Sequence, residues 1–461
     1  MKSILQIIKE ALQGKEVDYT SISVKRALIL LSIPMVIEMA MESLFAVVDV
    51  YFVGKLGSKA VTTVGLTESV LTIIYSIGFG VSMAATAVVA RRVGEKNTDA
   101  AKRAAGQTLF IGIVLSLIIS VIGLFYSQDI LQLMGASPEL ASYGDGYMFW
   151  MLLGNGTILL LFLLNGVFRG AGNAAIAMRV LWISNGINIV LDPMLILGLG
   201  PFPELGLDGA AYATNIGRGI GVAYQLFVLF TGKSVVSINI RSLLPDMTII
   251  LKILQVSAGG TGQFIISSAS WIFLMRMMSE FGEGAVAGYT IAIRVLIFTI
   301  LPAWGLANAA ATLVGQNLGA QQPERASKSV WVASLYNAVF LGLVSVVYFV
   351  FAKPIIATFT TDPQALETGI ECLRYLALGY VFFAYGMVMT QAFNGAGDTT
   401  TPTILNVIMF WLIQLPLSYL LAMTLDLGPV GIFLGIIISE TLLAIAALWL
   451  FKRGKWKEKV V

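Results

Sequence analysis

Phe168-Arg169-Gly170-Ala171-Gly172-Asn173 returns 225 residues later as Phe393-Asn394-Gly395-Ala396-Gly397-Asp398. The same offset, without a gap, lays Leu31-Ser32-Ile33-Pro34 over Val256-Ser257-Ala258-Gly259, Gly57, Ala60 and Val61 over Gly282, Ala285 and Val286, and Val93-Gly94 over Leu318-Gly319. A period this long holds several helices per copy and far exceeds the repeats of solenoid proteins, so it predicts two similar lobes.

The solvent of those lobes follows from composition. With 57% hydrophobic residues, 12% charged residues and a mean hydropathy of +0.85, the chain cannot hide its apolar side chains inside a water-soluble globule. It reads as an all-α polytopic membrane protein, and parallel repeats of this kind recur in secondary transporters. Apolar stretches of about 20 residues predict twelve spans. Six fall near 27–52, 62–84, 104–126, 146–168, 174–198 and 209–231; six more near 251–278, 286–311, 328–352, 373–394, 401–424 and 428–451. The expected organisation is an amphipathic N-terminal segment (1–25), a first six-helix bundle (26–231), a polar linker (232–250), a pseudo-symmetric second bundle (251–452) and a basic tail (453–461).

Basic loops mark the cytoplasmic side of membrane proteins. Lys2, Lys25, Arg26, Arg91, Arg92, Lys96, Lys233, Arg241, Arg325, Lys452 and Arg453 fall on the side of both termini, against Asp129, Glu139, Asp145, Glu204, Asp208, Asp362 and Glu367 opposite. Both termini are therefore expected to be cytoplasmic, in a plasma-membrane protein with no cleaved signal peptide. One cysteine, Cys372, and no histidine exclude an intrachain disulfide and a Cys/His metal site, so proton chemistry would fall to carboxylates. Neither a cofactor nor a nucleic-acid partner is expected, and the chain is taken as a monomer.

The acids can be placed by depth. At 1.5 Å per residue, Asp49 lies about 5 Å inside the outer end of the first span, Asp192 about 9 Å inside the fifth and Thr214 about 8 Å inside the sixth. Asn188 and Asp192 are i and i+4 on one helical face, as are Ala210 and Thr214. Two carboxylates, an amide and a hydroxyl form an oxygen-rich cage for a small hard cation, and equally a place for a proton. Simple capping, Asp192 at a break before Pro193, is the structural alternative. Against it, the second copy carries Leu274 and Leu417 where the first has Asp49 and Asp192. Ion coupling is thus expected in the first lobe.

Glu38, Glu42, Phe45 and Asp49 follow one helical stripe, which should face a watery cavity. Pro34 below them leaves a carbonyl unpaired and makes this helix a candidate for bending. Arg218 lies near the level of Glu42, so Glu42 either pairs with it or stays free to attract cationic substrates.

Leu31-Ser32-Ile33-Pro34-Met35, Asp49, Arg169-Gly170-Ala171-Gly172-Asn173, Asn188-Ile189-Val190-Leu191-Asp192-Pro193 and Gly209-Ala210-Ala211-Tyr212-Ala213-Thr214 together resemble the multidrug and toxic compound extrusion family, and within it the DinF-like branch. The resemblance covers essentially the whole chain. It implies two six-helix bundles around a cleft and antiport of drug-like organic compounds against sodium or protons. It also implies Asp49, Asn188, Asp192 and Thr214 as cation-site side chains, Ala210 as a carbonyl ligand, and Tyr147 and Asn165 as further polar positions of that lobe. Glu38, Glu42 and Arg218 depart from the pattern. Two other readings are a lipid-linked precursor flippase of the same superfamily, which the acidic first helix argues against, and an intramembrane aspartyl protease. The Gly-x-Gly-Asp pattern of such proteases is missing at Asp49 and Asp192, and the loose lookalike at Asp145 falls in a predicted outer loop.

Overall fold

Apolar runs of this length become helices because, inside a bilayer, only a helix satisfies its own backbone groups within one segment. The computed structural model describes residues 4–232 and 234–460, and shows helices and no strand among them. Lys2 and Lys233, counted above among the basic residues, lie outside the described residues.

An amphipathic α1 (Ile4–Gln13) precedes the first lobe, built from α2 (Val24–Gly54), α3 (Ser58–Gly94), α4 (Thr98–Leu133), α5 (Pro138–Leu153), α6 (Asn155–Gly170), α7 (Ala174–Ile196) and α8 (Gly206–Phe230). The second lobe contains α9 (Met247–Ser279), α10 (Glu283–Gly319), α11 (Pro323–Ala357), α12 (Pro363–Leu378) and α13 (Tyr380–Gly395). Its eleventh span joins α14 (Thr400–Asn406) and α15 (Leu415–Tyr419) through wider π-helical turns at Val407–Gln414 and Leu420–Thr424, and α16 (Pro429–Arg453) closes the bundle. Among the described residues eleven spans are long and apolar enough to cross a bilayer, counting the bent pair α12–α13 as one. The 25-residue α8 is about 37 Å long and makes twelve, its hydropathy lowered by five glycines and Arg218.

The 225-residue offset holds in three dimensions. Helices α3 and α10, α5 and α12, and α6 and α13 begin and end at equivalent residues. Lys96 (φ 58°) and Gln321 (φ 59°) make the same left-handed turn, and α4 and α11 kink at the equivalent Tyr126 and Phe351.

Several boundaries differ from expectation. Helices α3 and α10 run to Gly94 and Gly319, well past the predicted 62–84 and 286–311. The predicted span 146–168 is two helices meeting at Gly154, where the Asn215 side chain fills the space a β-carbon would need. Asn155 closes that break by donating to the Leu152 carbonyl at 2.6 Å and the Ser116 carbonyl at 3.1 Å. The equivalent pair α12–α13 is bent by 58°. Asp145, expected in a loop, lies within α5 and accepts from the Ser127 hydroxyl. No break precedes Pro193, since α7 continues to Ile196. The polar linker is clamped to the first lobe by Gln107, which donates to the Ser242 and Leu244 carbonyls at 2.9 and 2.8 Å.

The lobes exchange partners. Helix α2 packs on α10, and α9 in return packs on α3. Near the termini α3 and α10 cross at Gly94 and Gly319; a β-carbon at Gly94 would overlap the Gln316 backbone, and one at Gly319 the Arg91 carbonyl. Toward the opposite side the lobes part, leaving Glu68, Thr72, Arg294 and Phe298 exposed. The result is a cleft closed on the side of the termini and open on the other.

Candidate functional site

The stripe on α2 enters three polar tiers inside the first lobe. Deepest, Glu38 is 1% exposed and its Oε1 accepts from the Asn165 amide at 3.2 Å and from Arg169 at 3.5 Å. Arg169 also donates to the Ser82 hydroxyl at 3.0 Å, and the Asn165 oxygen accepts from Gln225 at 2.8 Å. A buried ion pair is tolerated when further hydrogen bonds engage its groups; here they engage Arg169 and Glu38 Oε1, while Glu38 Oε2 has no partner among the described residues.

One turn along, Glu42 pairs with Arg218 at 3.7 Å and accepts from the Asn185 amide at 2.9 Å. Of its two expected roles Glu42 thus shows the pairing, while it also lines the cavity between the lobes. Arg218 lies against three rings, with its guanidinium carbon 5.5 Å from the Phe45 centroid, 5.6 Å from Phe162 and 6.0 Å from Tyr75. Phe45 thus serves this arginine, through the attraction between a cation and an aromatic face.

The upper tier holds the predicted cage. Helices α7 and α8 pack closely, bringing Asn188 and Asp192 to Thr214. One orientation of the Asn188 amide satisfies both neighbours: its nitrogen donates to Asp192 Oδ2 at 2.9 Å, and its oxygen accepts from the Thr214 hydroxyl at 3.1 Å. Asp192 is fully buried, and its Oδ1 has no partner. Asp49, half-buried on α2, is within electrostatic reach of Asp192, Glu68, Arg218 and the buried Tyr147. Ala210 is buried one turn before Thr214, in the apolar cluster that includes Tyr147. The structure therefore brings Asp49, Asp192, Asn188, Thr214 and Tyr147 into one neighbourhood, while Glu38 and Asn165 belong to a separate network below. Among the described residues no group of three or more acidic, cysteine or histidine side chains is placed to hold a metal ion. Two carboxylates with a neutral amide and hydroxyl suit a monovalent ion or a proton.

Pro34 lies inside an uninterrupted α2, at the wall of a 260 Å³ pocket beneath α1 that Tyr19 and Gly172 also line. Between the lobes, a second cavity of 190 Å³ is bounded by Met39, Glu42, Phe79, Arg169, Phe264 and Trp304. Phe79 of the first lobe stacks on Phe264 of the second at 4.8 Å, and Phe264 on Trp304 at 5.6 Å.

Sequence reasoning missed three features. Arg169 was read as part of a turn motif, and nothing local tells that it reaches Glu38, 131 residues away. Glu68 on α3 sits beside the cage and within reach of Arg294 across the cleft. Glu440 is an acid in the middle of α16, in the lobe that carries Leu274 and Leu417 in place of Asp49 and Asp192.

Two pseudo-symmetric helix bundles around a cleft, with ionisable groups buried at membrane depth, define a membrane transporter. A sequence profile of the MatE family matches residues 34–194 and 261–420, one segment in each lobe, and the chain belongs to that family. It is 28% identical to the probable multidrug resistance protein NorM of Thermotoga maritima, over 95% of this chain and 94% of that protein. It is 26% identical to an FAD transporter of Shewanella oneidensis, over 94% and 95% of the two chains. A solved outward-facing conformation of a multidrug resistance MATE family transporter of the MOP superfamily superposes with a TM-score of 0.90 at 28% identity, covering 97% of this chain and 99% of that one.

Proposed function

We propose that this chain is a cation-coupled multidrug efflux antiporter of the plasma membrane, with cytoplasmic termini and its ion site in the first lobe. The observation that carries the reading is the buried cage of Asp192, Asn188 and Thr214 facing Asp49, whose acids and amide are present in one copy of the repeat and replaced by Leu274, Ile413 and Leu417 in the other. The relatives named for multidrug resistance support drug-like cargo, and the cleft open away from the basic, termini-bearing face supports an outward-open state.

In the proposed cycle, sodium or protons enter from the open side and neutralise Asp49 and Asp192. Helix α2 then bends near Pro34, the inter-lobe cavity collapses and cargo leaves. The emptied, charged site favours the inward-open state. Coupling requires that ion and cargo each bind the two conformations with different affinity. Because Glu42 and Glu38 are held by Arg218 and Arg169, the cavity is not strongly acidic, and stacking on Phe79, Phe264 and Trp304 carries more of the recognition than charge. Ethidium or norfloxacin efflux from everted vesicles, under separately imposed sodium and proton gradients, tests the reading. Asp49→Asn and Asp192→Asn should each reduce gradient-driven export to the level of vesicles lacking the protein. Retained export in both removes the assignment.

A further inference from the structure

The second lobe has its own intramembrane acid. Glu440 lies midway along α16, eleven residues from one end and thirteen from the other. Its helical neighbours Ile436, Leu443, Ala444 and Ala447 are all at most 5% exposed, which places it on the face turned into the lobe, where Glu440 itself is half-buried. No hydrogen bond or ion pair of Glu440 exists among the described residues. The charged and titratable groups of the α-helices packed on α16 are Glu367, Glu371, Cys372, Arg374 and Tyr375 on α12, Tyr380 and Tyr385 on α13, Tyr419 on α15, and Lys252 and Arg276 on α9. Arg276 is paired with Glu280 and Arg374 donates to the Phe349 carbonyl, and none of these groups forms a hydrogen bond or ion pair with Glu440 among the described residues.

A capping role does not account for it. The equivalent residue in the first lobe, Asn215, plugs the break between α5 and α6, donating to the Trp150 carbonyl at 2.9 Å and accepting from Thr157 at 3.2 Å. In the second lobe the break at Gly379 is filled by Ile437 instead, 3.4 Å from the β-carbon position. Glu440 is left one turn further along with nothing to bond.

The packing around it is divided. Buried apolar residues of the second lobe form two clusters, one containing Ile436 and Phe433 and the other Leu443 and Ala447, and Glu440 falls between them. Polar side chains gather at that level. Gly435 of α16 lies against Ser418 and Gly431 against Ala422, a register that sets Glu440 beside Gln414 at the end of the π-helical turn. Asn337 on α11 meets Ala384 and Met387 of α13, within a turn of the same depth. The Asn337 Oδ1 and the hydroxyls of Ser334 and Ser418 are buried without partners.

An acid inside a bilayer is costly unless neutralised by a cation, an ion or a proton, and is a functional group by default. Cations are missing here, and one carboxylate with neutral amides and hydroxyls falls short of a metal-ion cage. We propose that Glu440 is a second proton-exchanging carboxylate, housed in a polar layer of Asn337, Gln414, Ser418 and Ser439 that crosses the second lobe. Its titration is independent of the first-lobe site; its part in coupling rests on the antiport reading above.

Infrared pH-difference spectra of the purified full chain in lipid nanodiscs test it. The protein should show a protonated-carboxyl band that titrates, is lost in Glu440→Gln and persists in Asp49→Asn and Asp192→Asn. An unchanged set of carboxyl bands in Glu440→Gln overturns the proposal. Should Glu440→Gln fail to fold, Glu440→Asp decides: a shifted titrating band supports it and an unshifted one does not. In proteoliposomes, Glu440→Gln should slow proton-driven efflux several-fold and flatten its pH dependence. Unchanged efflux with the band lost would overturn the coupling role alone, whereas loss of all efflux in the parent protein would count against the antiport reading and leave the titration standing.

Discussion

Position for position, the two lobes share a backbone and differ in charge. Glu38 and Arg169 of the first lobe correspond to Gln263 and Asn394 of the second, which also bond to each other, donating reciprocally at 3.0 and 3.2 Å. An ion pair in one lobe is thus a neutral amide pair in the other. Glu42 and Arg218 correspond to Ser267 and Leu443, and Asp49, Asn188 and Asp192 to Leu274, Ile413 and Leu417, while Thr214 keeps its hydroxyl as Ser439. The ends of three helix pairs, the kinks at Tyr126 and Phe351 and the left-handed turns at Lys96 and Gln321 are shared, whereas α7 is one α-helix and its counterpart carries π-helical turns. Interior polarity diverged freely wherever each new group found a partner.

The contrast can be broken most severely by Leu274→Asp, which restores an acid at the position equivalent to Asp49. Leu274 is fully buried in apolar packing, and an unpaired carboxylate there costs several kcal/mol, so the variant should be poorly recovered as folded protein by detergent size-exclusion chromatography. Next comes Glu38→Gln. Removing one partner of a buried pair typically costs about 3–5 kcal/mol, and melting in detergent should fall accordingly. The double variant Glu38→Gln/Arg169→Asn installs the second lobe's amide pair and should recover most of that loss. If it melts as low as the single variant, the two lobes do not share an interchangeable geometry.

Glu42→Gln should cost less, about 1–2 kcal/mol, because Arg218 keeps its three aromatic faces. An equal loss at Glu38 and Glu42 in thermal melts would argue against that ranking. The smallest effect lies outside the membrane. The left-handed turn at Lys96 is tied to Asp18 at 3.7 Å, whereas its equivalent at Gln321 has no such partner. Hydrogen bonds from Thr20, and then Lys96, hold the Asp18 carboxyl below its ordinary value of 3.8. A depressed carboxylate contributes stability that is present above that value and lost as pH falls below it. Asp18→Asn should therefore cost less than about 1 kcal/mol at neutral pH and nothing in strong acid, as melting at the two pH values would show.

Much of this protein was legible in its sequence. The repeat, the spans and the i, i+4 placement of Asn188 and Asp192 are local or periodic facts, and a 1.5 Å rise converts them into depth. Helix ends were less legible, since α3 and α10 continue beyond the predicted spans, and the break at Gly154 depends on Asn215 arriving from another helix.

By itself the sequence determined two copies of one helical bundle, the membrane as solvent, and which copy keeps Asp49 and Asp192, because composition and periodicity are properties of the chain alone. Only the tertiary structure decided that Arg169 neutralises Glu38 and Arg218 neutralises Glu42, and that Glu440 has no partner among the described residues. Pairing in a bilayer is a matter of which helices meet, across separations of 131 and 176 residues that no local pattern encodes.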